Sequence, residues 1–315
     1  MRFAKECIMS RAERQYFHAK ELERINHDFA SLSGNVNLSF EFFPPNSNEM
    51  NSILWNSIKK LEPLQPDFVS VTYGAGASTR ERTHGVIEKI LTETSLNAVP
   101  HLTCIDATES EIETIAHRYW ELGVRHIVAL RGDKPDERSH TGDFNYATDL
   151  IYKLKSLYDF DISVAAYPEV HPEALNAQAD LDNLKRKVDA GANRAITQFF
   201  FNSESFLRFR DKCAQNSIDV DLVPGILPVT NFIQLLKFAR FTQVEIPGWM
   251  QKLYQGLDQD LITRQLIASH IAIEQVKLLS KEGIKNFHFY TLNRADLTYA
   301  ICHSLGRREC FAAAS

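Results

Sequence analysis

The feature that most limits how this chain can fold is an eightfold alternation. Short apolar runs at 38–42, 68–72, 98–103, 126–130, 162–167, 194–199, 220–226 and 287–292 read as strands. Longer stretches of helical periodicity, such as 50–61, 109–122 and 181–190, lie between them. Phe68-Val-Ser-Val71 and Ile127-Val-Ala-Leu130 are apolar on both faces, as strands buried between layers must be. Strict alternation implies a parallel sheet, and eight repeats favour a closed (β/α)8 TIM barrel over an open doubly wound sheet. No G-x-G-x-x-G follows an early strand, which weakens the dinucleotide-fold alternative further.

Three helical stretches end on Gly123, Gly191 and Gly283 just before a strand, where glycine takes a left-handed cap without a Cβ clash. Residues 1–30, rich in charge and His, predict an N-terminal helical extension laid on the outside. The one long break, 228–283, holds at least two helical patterns and Pro247-Gly-Trp, read as extra helices between strands seven and eight. The whole of 1–315 is expected to form one barrel domain with no regulatory domain.

Composition excludes several functions. A formal charge of -5 offers no basic surface for nucleic acid or anionic lipid, so an anionic ligand needs a few local Arg, Lys or backbone groups. The 5 cysteines form no C-x-x-C pair, so neither a zinc cage nor a disulfide framework is signalled, and the odd count suits reduced thiols in the cytoplasm. No run approaches the roughly 20 apolar residues that cross a bilayer.

Within the first strand, Leu38, Phe40 and Phe42 alternate with Ser39, Glu41 and Phe43. Glu41 thus projects from a segment with aromatic neighbours, where low dielectric disfavours an ionised carboxylate. That makes it a candidate proton donor near neutral pH; a strand-end salt bridge is the plainer alternative. Barrel chemistry sits at the carboxyl ends of the strands. Glu41, Thr72, Tyr73, Ala75, His101, Thr103, Arg131, Gly132, Asp133, Tyr167, His171, Gln198, Thr291, Asn293 and Arg294 collect there, which argues for a ligand pocket. Asp133, capping a buried strand, could stabilise a developing cation.

On the helix around 180–189, Leu181, Leu184 and Val188 form the buried stripe, leaving Asp180, Asn183 and Lys187 on another face with Arg186 at its edge. These read either as a solvated face or as groups for a sugar or adenine and a phosphate. Gln198-Phe-Phe-Phe201, and Gln234 with Phe238 at i, i+4, could supply an amide and aromatic plates for a flat heterocycle, or be core. No H-x-H, H-E-x-x-H or G-x-S-x-G spacing points to a metal or a covalent nucleophile.

Together these stretches resemble the bacterial 5,10-methylenetetrahydrofolate reductases. The likeness is carried by Ser39-Phe-Glu-Phe-Phe-Pro-Pro45, Val69-Ser-Val-Thr-Tyr-Gly-Ala75, Pro100-His-Leu-Thr-Cys104, His126-Ile-Val-Ala-Leu-Arg-Gly-Asp133, Ala165-Ala-Tyr-Pro-Glu-Val-His-Pro172, Ala195-Ile-Thr-Gln-Phe-Phe-Phe201 and Phe287-His-Phe-Tyr-Thr-Leu-Asn-Arg294. The resemblance implies a flavin-dependent barrel in which NADH or NADPH reduces FAD, leaves, and is replaced by the folate, giving 5-methyltetrahydrofolate for methionine synthesis. It implies Glu41 as the general acid and Asp133 as the group that binds the pterin, steadies the iminium and tunes the flavin. It further implies Thr72, Tyr73, Ala75, His101, Leu130, Arg131, Gly132, Asp133, Tyr146, Tyr167, His171, Asp180, Asn183, Arg186 and Lys187 around FAD. Tyr146 aligns when the loop 134–145 is allowed to differ in length. Thr72, Asp133, Gln198, Gln234, Phe238 and Arg294 would meet the substrates, and the chain would be a homo-oligomer, a tetramer. A metal- or Schiff-base-dependent lyase and a non-catalytic flavin or folate carrier are the competing readings; no strand end supplies the lysine that a Schiff base needs.

Overall fold

The computed structural model describes Lys20 and residues 36–73, 77–133 and 142–308. The expected N-terminal helix apart from Lys20, together with Ala75 and residues 134–141, lies outside the described residues. Eight strands, β1 (Asn37–Phe42), β2 (Phe68–Val71), β3 (Ala98–Thr103), β4 (His126–Leu130), β5 (Asp161–Ala166), β6 (Arg194–Phe199), β7 (Asp221–Ile226) and β8 (Asn286–Tyr290), close into a barrel. Each pairs in parallel with the next and β8 returns to β1, with Glu41 opposite Ser70 on one side and Tyr290 on the other.

Helices α1 (Asn48–Leu61), α2 (Ala77–Glu93), α3 (Glu109–Glu121), α4 (Ala147–Leu157), α5 (Ala177–Asp189) and α6 (Ser203–Gln215) follow the first six strands. Then α7 (Phe232–Thr242), α8 (Gly248–Tyr254) and α9 (Leu261–Lys281) separate β7 from β8, and α10 (Ala295–Ser304) closes the ring. The extra helices expected there are thus present, with Pro247 immediately before α8. Caps mark the starts: Ser47 Oγ accepts from Met50 N–H, Thr108 and Glu111 form a capping box, and Asn176 and Asn231 each accept from the third residue onward. Gly123, Gly191 and Gly283 take φ of 86°, 113° and 88°, the left-handed caps that their positions suggested.

Strand pleating divides the core. In β1, Leu38, Phe40 and Phe42 face outward into the layer between sheet and helices, where Leu54 and Ile58 of α1 join them. Burying each such aromatic stabilises the fold by about 1.5–3 kcal/mol. Inside the barrel, Phe68, Val99, Val128, Ile196 and Val223 form a separate apolar plug. The amino end is closed by a polar net: Arg194 reaches Asp161 at 3.2 Å and Asp221 at 3.5 Å, and Asn286 Nδ2 donates to Asp221 at 2.9 Å. With that end closed and the middle filled, ligand access belongs to the carboxyl end. A further small core of Phe199, Phe201, Leu235, Met250 and Tyr254 holds α7 and α8 over that end; Phe199 and Phe201 therefore pack as core and do not serve as plates for a heterocycle.

Two local geometries shape the rim. A Cβ on Gly225 would lie 2.2 Å from Thr197 O and 2.5 Å from Tyr290 Cε2, so only glycine lets β7 pass beside the Tyr290 ring. Gly225→Ala is expected to lower unfolding free energy by about 3 kcal/mol, at the upper end of overpacking costs. Denaturant titration would check this, and a midpoint unchanged from wild type would show that the strand relaxes freely. Second, the apolar run 287–292 does not stay a strand. Leu292 and Asn293 turn left-handed at φ 51° and 56°, and β8 stops at Tyr290. Asn293 fixes the turn by accepting from Phe43 N–H and donating to Phe43 O, both at 2.9 Å, while Ser57 Oγ donates to Asn293 O at 2.8 Å.

Candidate active site

A cavity of about 710 Å³ opens at the carboxyl end, over β3 to β6. Of the expected site residues, Tyr73, Leu130, Arg131, Gly132, Asp133, Tyr146, Tyr167, His171, Asp180, Asn183, Arg186, Lys187 and Gln198 line it. Its volume falls in the range of small-molecule sites. One wall is backbone: Gly132, at φ 91°, lies so close to Ile105 that a Cβ would meet Ile105 Cγ2 at 2.7 Å, so the β4 turn requires glycine. Arg131 is pinned beside it by a two-pronged pair to Glu173 at 2.8 and 2.9 Å. Asp133 is exposed at the mouth.

The opposite wall is α5 with the β5 loop. Asp180 Oδ2 accepts from His171 N–H at 2.9 Å, and His171 Nδ1 accepts from Glu173 N–H at 3.0 Å. With Nδ1 acting as acceptor, the imidazole proton sits on Nε2 and remains available as a donor. Burial lowers the His171 pKa, which favours this neutral form. The His171 ring meets Tyr167 edge-on at 4.5 Å. Lys187 donates from Nζ to Ala165 O at 3.0 Å, and burial pulls its pKa down to about 8. A half-buried lysine thus reaches the end of β5 from a helix, a placement that the strand ends themselves do not reveal. Tyr73 brings a buried hydroxyl that has no hydrogen-bond partner among the described residues.

Glu41 lies inside the barrel, though it is not part of that cavity wall. Its surroundings correct the expectation of aromatic neighbours: Phe40 and Phe42 are on the other face, and imidazoles from distant strands meet the carboxylate instead. Glu41 Oε2 is 3.6 Å from His101 Nε2 and 3.9 Å from His288 Nε2, and neither ring nitrogen has a hydrogen-bond partner among the described residues. Burial holds the His101 pKa down at about 4, so this ring is neutral at pH 7 and does not form an ion pair with Glu41. His288 is fixed from behind, its Nδ1 2.7 Å from Ser39 Oγ. His101 was expected against a cofactor; it sits two residues below Thr103, which does line the cavity, on the same face of β3. His288 escaped the sequence reading because it is one residue in an apolar run; its place on the inward face, in step with Tyr290, was the available signal.

Three expected substrate residues stand apart from the large cavity. Gln234, Phe238 and Arg294 line a small hollow between α7 and the β8 turn, with Thr230 and Leu292. Phe241 and Thr242, one turn on along α7, reach the large cavity, so this helix borders both spaces. Neither was anticipated, although Phe241 continues the i, i+3 aromatic spacing from Phe238. Thr72 lines neither space; its carbonyl accepts from Thr83 Oγ1 at 2.8 Å. Among the described residues no three His, Cys, Asp or Glu side chains group as a metal site, and no helix is long and apolar enough to cross a membrane.

Residues 24–306 match the family model described as methylenetetrahydrofolate reductase. The chain is 60% identical over 293 residues to 5,10-methylenetetrahydrofolate reductase of Salmonella typhimurium, covering 93% of this chain and 98% of that protein. The same identity and coverage hold for the Escherichia coli reductase. Among solved structures, a Clostridium thermocellum protein that binds two copies of 5-methyl-5,6,7,8-tetrahydrofolic acid superposes with a TM-score of 0.59 at 13% identity, over 89% of this chain and 97% of that one, a likeness of fold.

Proposed function

The chain belongs to the methylenetetrahydrofolate reductase family, and from that premise we propose that it reduces 5,10-methylenetetrahydrofolate to 5-methyltetrahydrofolate with NADH or NADPH, through bound FAD, by ping-pong kinetics. The observation that carries the reading is the pairing of a buried carboxylate, Glu41, facing two unpartnered imidazole nitrogens, with a cavity whose two walls suit a dinucleotide. The residues present fit FAD. The glycine-bound backbone at 130–132 admits a flat ring edge, Tyr73 offers an unspent hydroxyl, Asp180 and Asn183 suit a ribose or adenine, and Arg186 and Lys187 suit a diphosphate. When bound there, FAD supplies two-electron hydride chemistry between the nicotinamide and the one-carbon unit.

The chain's own groups do the rest. Glu41 holds the proton delivered to the folate's N10 as the five-membered ring opens, with His288, backed by Ser39, at its shoulder. Asp133 places negative charge at the mouth, where the substrate's N5 becomes cationic. Gln198 offers an amide at the cavity floor, while Phe238, Gln234 and Arg294 hold the folate from the α7 side. The reading includes a cytoplasmic homo-oligomer, a tetramer, whose product serves methionine synthesis. The purified protein should be yellow, lose its flavin absorbance when NADH is added without air, and regain it on adding methylenetetrahydrofolate. A colourless protein that binds no added FAD would overturn the proposal, and one that bleaches without folate-driven recovery would be a carrier or a different reductase.

A further inference from the structure

Helix α7, which carries Gln234 and Phe238, is lightly attached. Leu235 is its one buried side chain among the described residues, while Ile233, Leu236 and Phe241 are exposed. With so little apolar area buried, packing alone fixes the helix weakly, and ties at its ends must set its place. The start has two. Asn231 Oδ1 accepts from Gln234 N–H at 3.0 Å, and Tyr254 of α8 donates to Val229 O, just ahead of the cap, at 2.7 Å. The end is held differently. Gln243 turns left-handed at φ 54°, Val244 packs into the small core, and the Glu245 N–H donates to Glu169 Oε2 at 2.8 Å, across 76 positions of the chain. Glu169 belongs to the β5 loop, between Pro168, whose ring stiffens its base, and the His171 that lines the large cavity. Its other oxygen, Oε1, is buried with no hydrogen-bond partner among the described residues. Burial, and less so the Glu245 carboxylate, push the Glu169 pKa above its ordinary value, although the Glu245 N–H opposes this.

A carboxylate with a buried, unsatisfied oxygen and a like charge beside it is poorly placed as a device for stability alone, because a neutral acceptor would meet the amide at lower cost. What the position does provide is a link between two walls. On one side stands the loop bearing His171 and Glu173, the partner of Arg131; on the other stands the helix that borders both the large cavity and the hollow of Gln234 and Phe238. We propose that Glu169 is a positioning residue, whose hold on the Glu245 amide sets α7 where Phe238 and Gln234 meet the substrate; this rests on the reductase reading above. Glu169 itself lines neither space. Its effect passes through the backbone. Releasing the Glu245 amide frees the last turn of α7, where Thr242 Oγ1 donates back to Phe238 O at 3.0 Å, and the Phe238 ring moves with that turn.

Hydrogen–deuterium exchange of the purified holoenzyme, read by mass spectrometry on peptides that cover 232–245, tests the tie directly. Glu169→Ala is expected to speed exchange there roughly 10- to 100-fold, the worth of a hydrogen bond to a charged acceptor. Glu169→Gln, which keeps an acceptor oxygen, should restore most of the protection. Glu245→Ala leaves the backbone amide in place and should change exchange by less than about twofold, as a surface substitution does. In steady state, Glu169→Ala should raise KM for methylenetetrahydrofolate about tenfold and leave kcat within about twofold, since the residue handles neither proton nor hydride. Unchanged exchange in Glu169→Ala, or the same loss of protection in Glu245→Ala, would overturn the proposal. Faster exchange with an unchanged KM would do so too, because the tie would then hold nothing that the substrate meets. So would a fall in kcat as large as the rise in KM with no rescue by glutamine, which would make Glu169 a support of the whole fold. If the wild type turns over no folate, the reductase reading itself fails, and the exchange result alone then decides the tie.

Discussion

Glu41→Gln is expected to leave NADH-driven bleaching of the bound flavin intact while slowing folate reduction about 10²- to 10⁴-fold, the usual contribution of a positioned general acid. The amide keeps the shape of the acid and places an N–H₂ where the unpartnered nitrogens of His101 and His288 can accept, so the barrel should stay folded. What it cannot do is release a proton to N10. The nicotinamide half of the cycle needs no such proton, so rapid-mixing absorbance should show one half-reaction normal and the other nearly arrested. Equal loss in both halves would mean that Glu41 supports the cavity and is not the acid, and a loss under tenfold would assign the proton to another group.

For Lys187→Ala the expected result is FAD binding weakened roughly 10- to 100-fold at pH 7, the worth of a charged hydrogen bond to an anion. The pH dependence follows from the direction of the shift. Burial lowers the Lys187 pKa to about 8, so the ligand-free protein carries the ammonium at pH 7 and loses it as the pH rises through 8. Wild-type affinity for FAD should therefore fall above pH 8. An anion beside Nζ favours the charged form, so binding in that range should be accompanied by proton uptake, readable by calorimetry in buffers of different ionisation enthalpy. The alanine variant should show neither the fall nor the uptake. A wild-type affinity flat from pH 7 to 9.5 would remove Lys187 from the diphosphate end.

The corrections share one physical origin, which is that neighbours in space need not be neighbours in the chain. Glu41 was placed among aromatics because Phe40 and Phe42 flank it, but pleating sends those rings to the outer layer and leaves the acid facing β3 and β8. The apolar run at the end of β8 looked like strand through Leu292, yet hydrogen bonds from Asn293 to Phe43, 250 positions away, bend it into a left-handed turn. Local propensity carries no trace of such a partner. The α5 face was legible because helical spacing alone puts Asp180, Asn183 and Lys187 on one side. That the lysine's ammonium donates to the Ala165 carbonyl was not.

What the chain's order of residues determined by itself was the eightfold repeat, the glycine caps, the extra helices before the last strand and the identity of most rim residues, since each depends on periodicities of a few positions. The tertiary structure decided the rest. Closing the ring brings β8 beside β1, and so sets His288, held by Ser39, beside Glu41. It also divides the carboxyl end into one space beside α5 and another beyond Arg294. Those facts depend on contacts between strands at opposite ends of the chain, and they form only when the barrel closes.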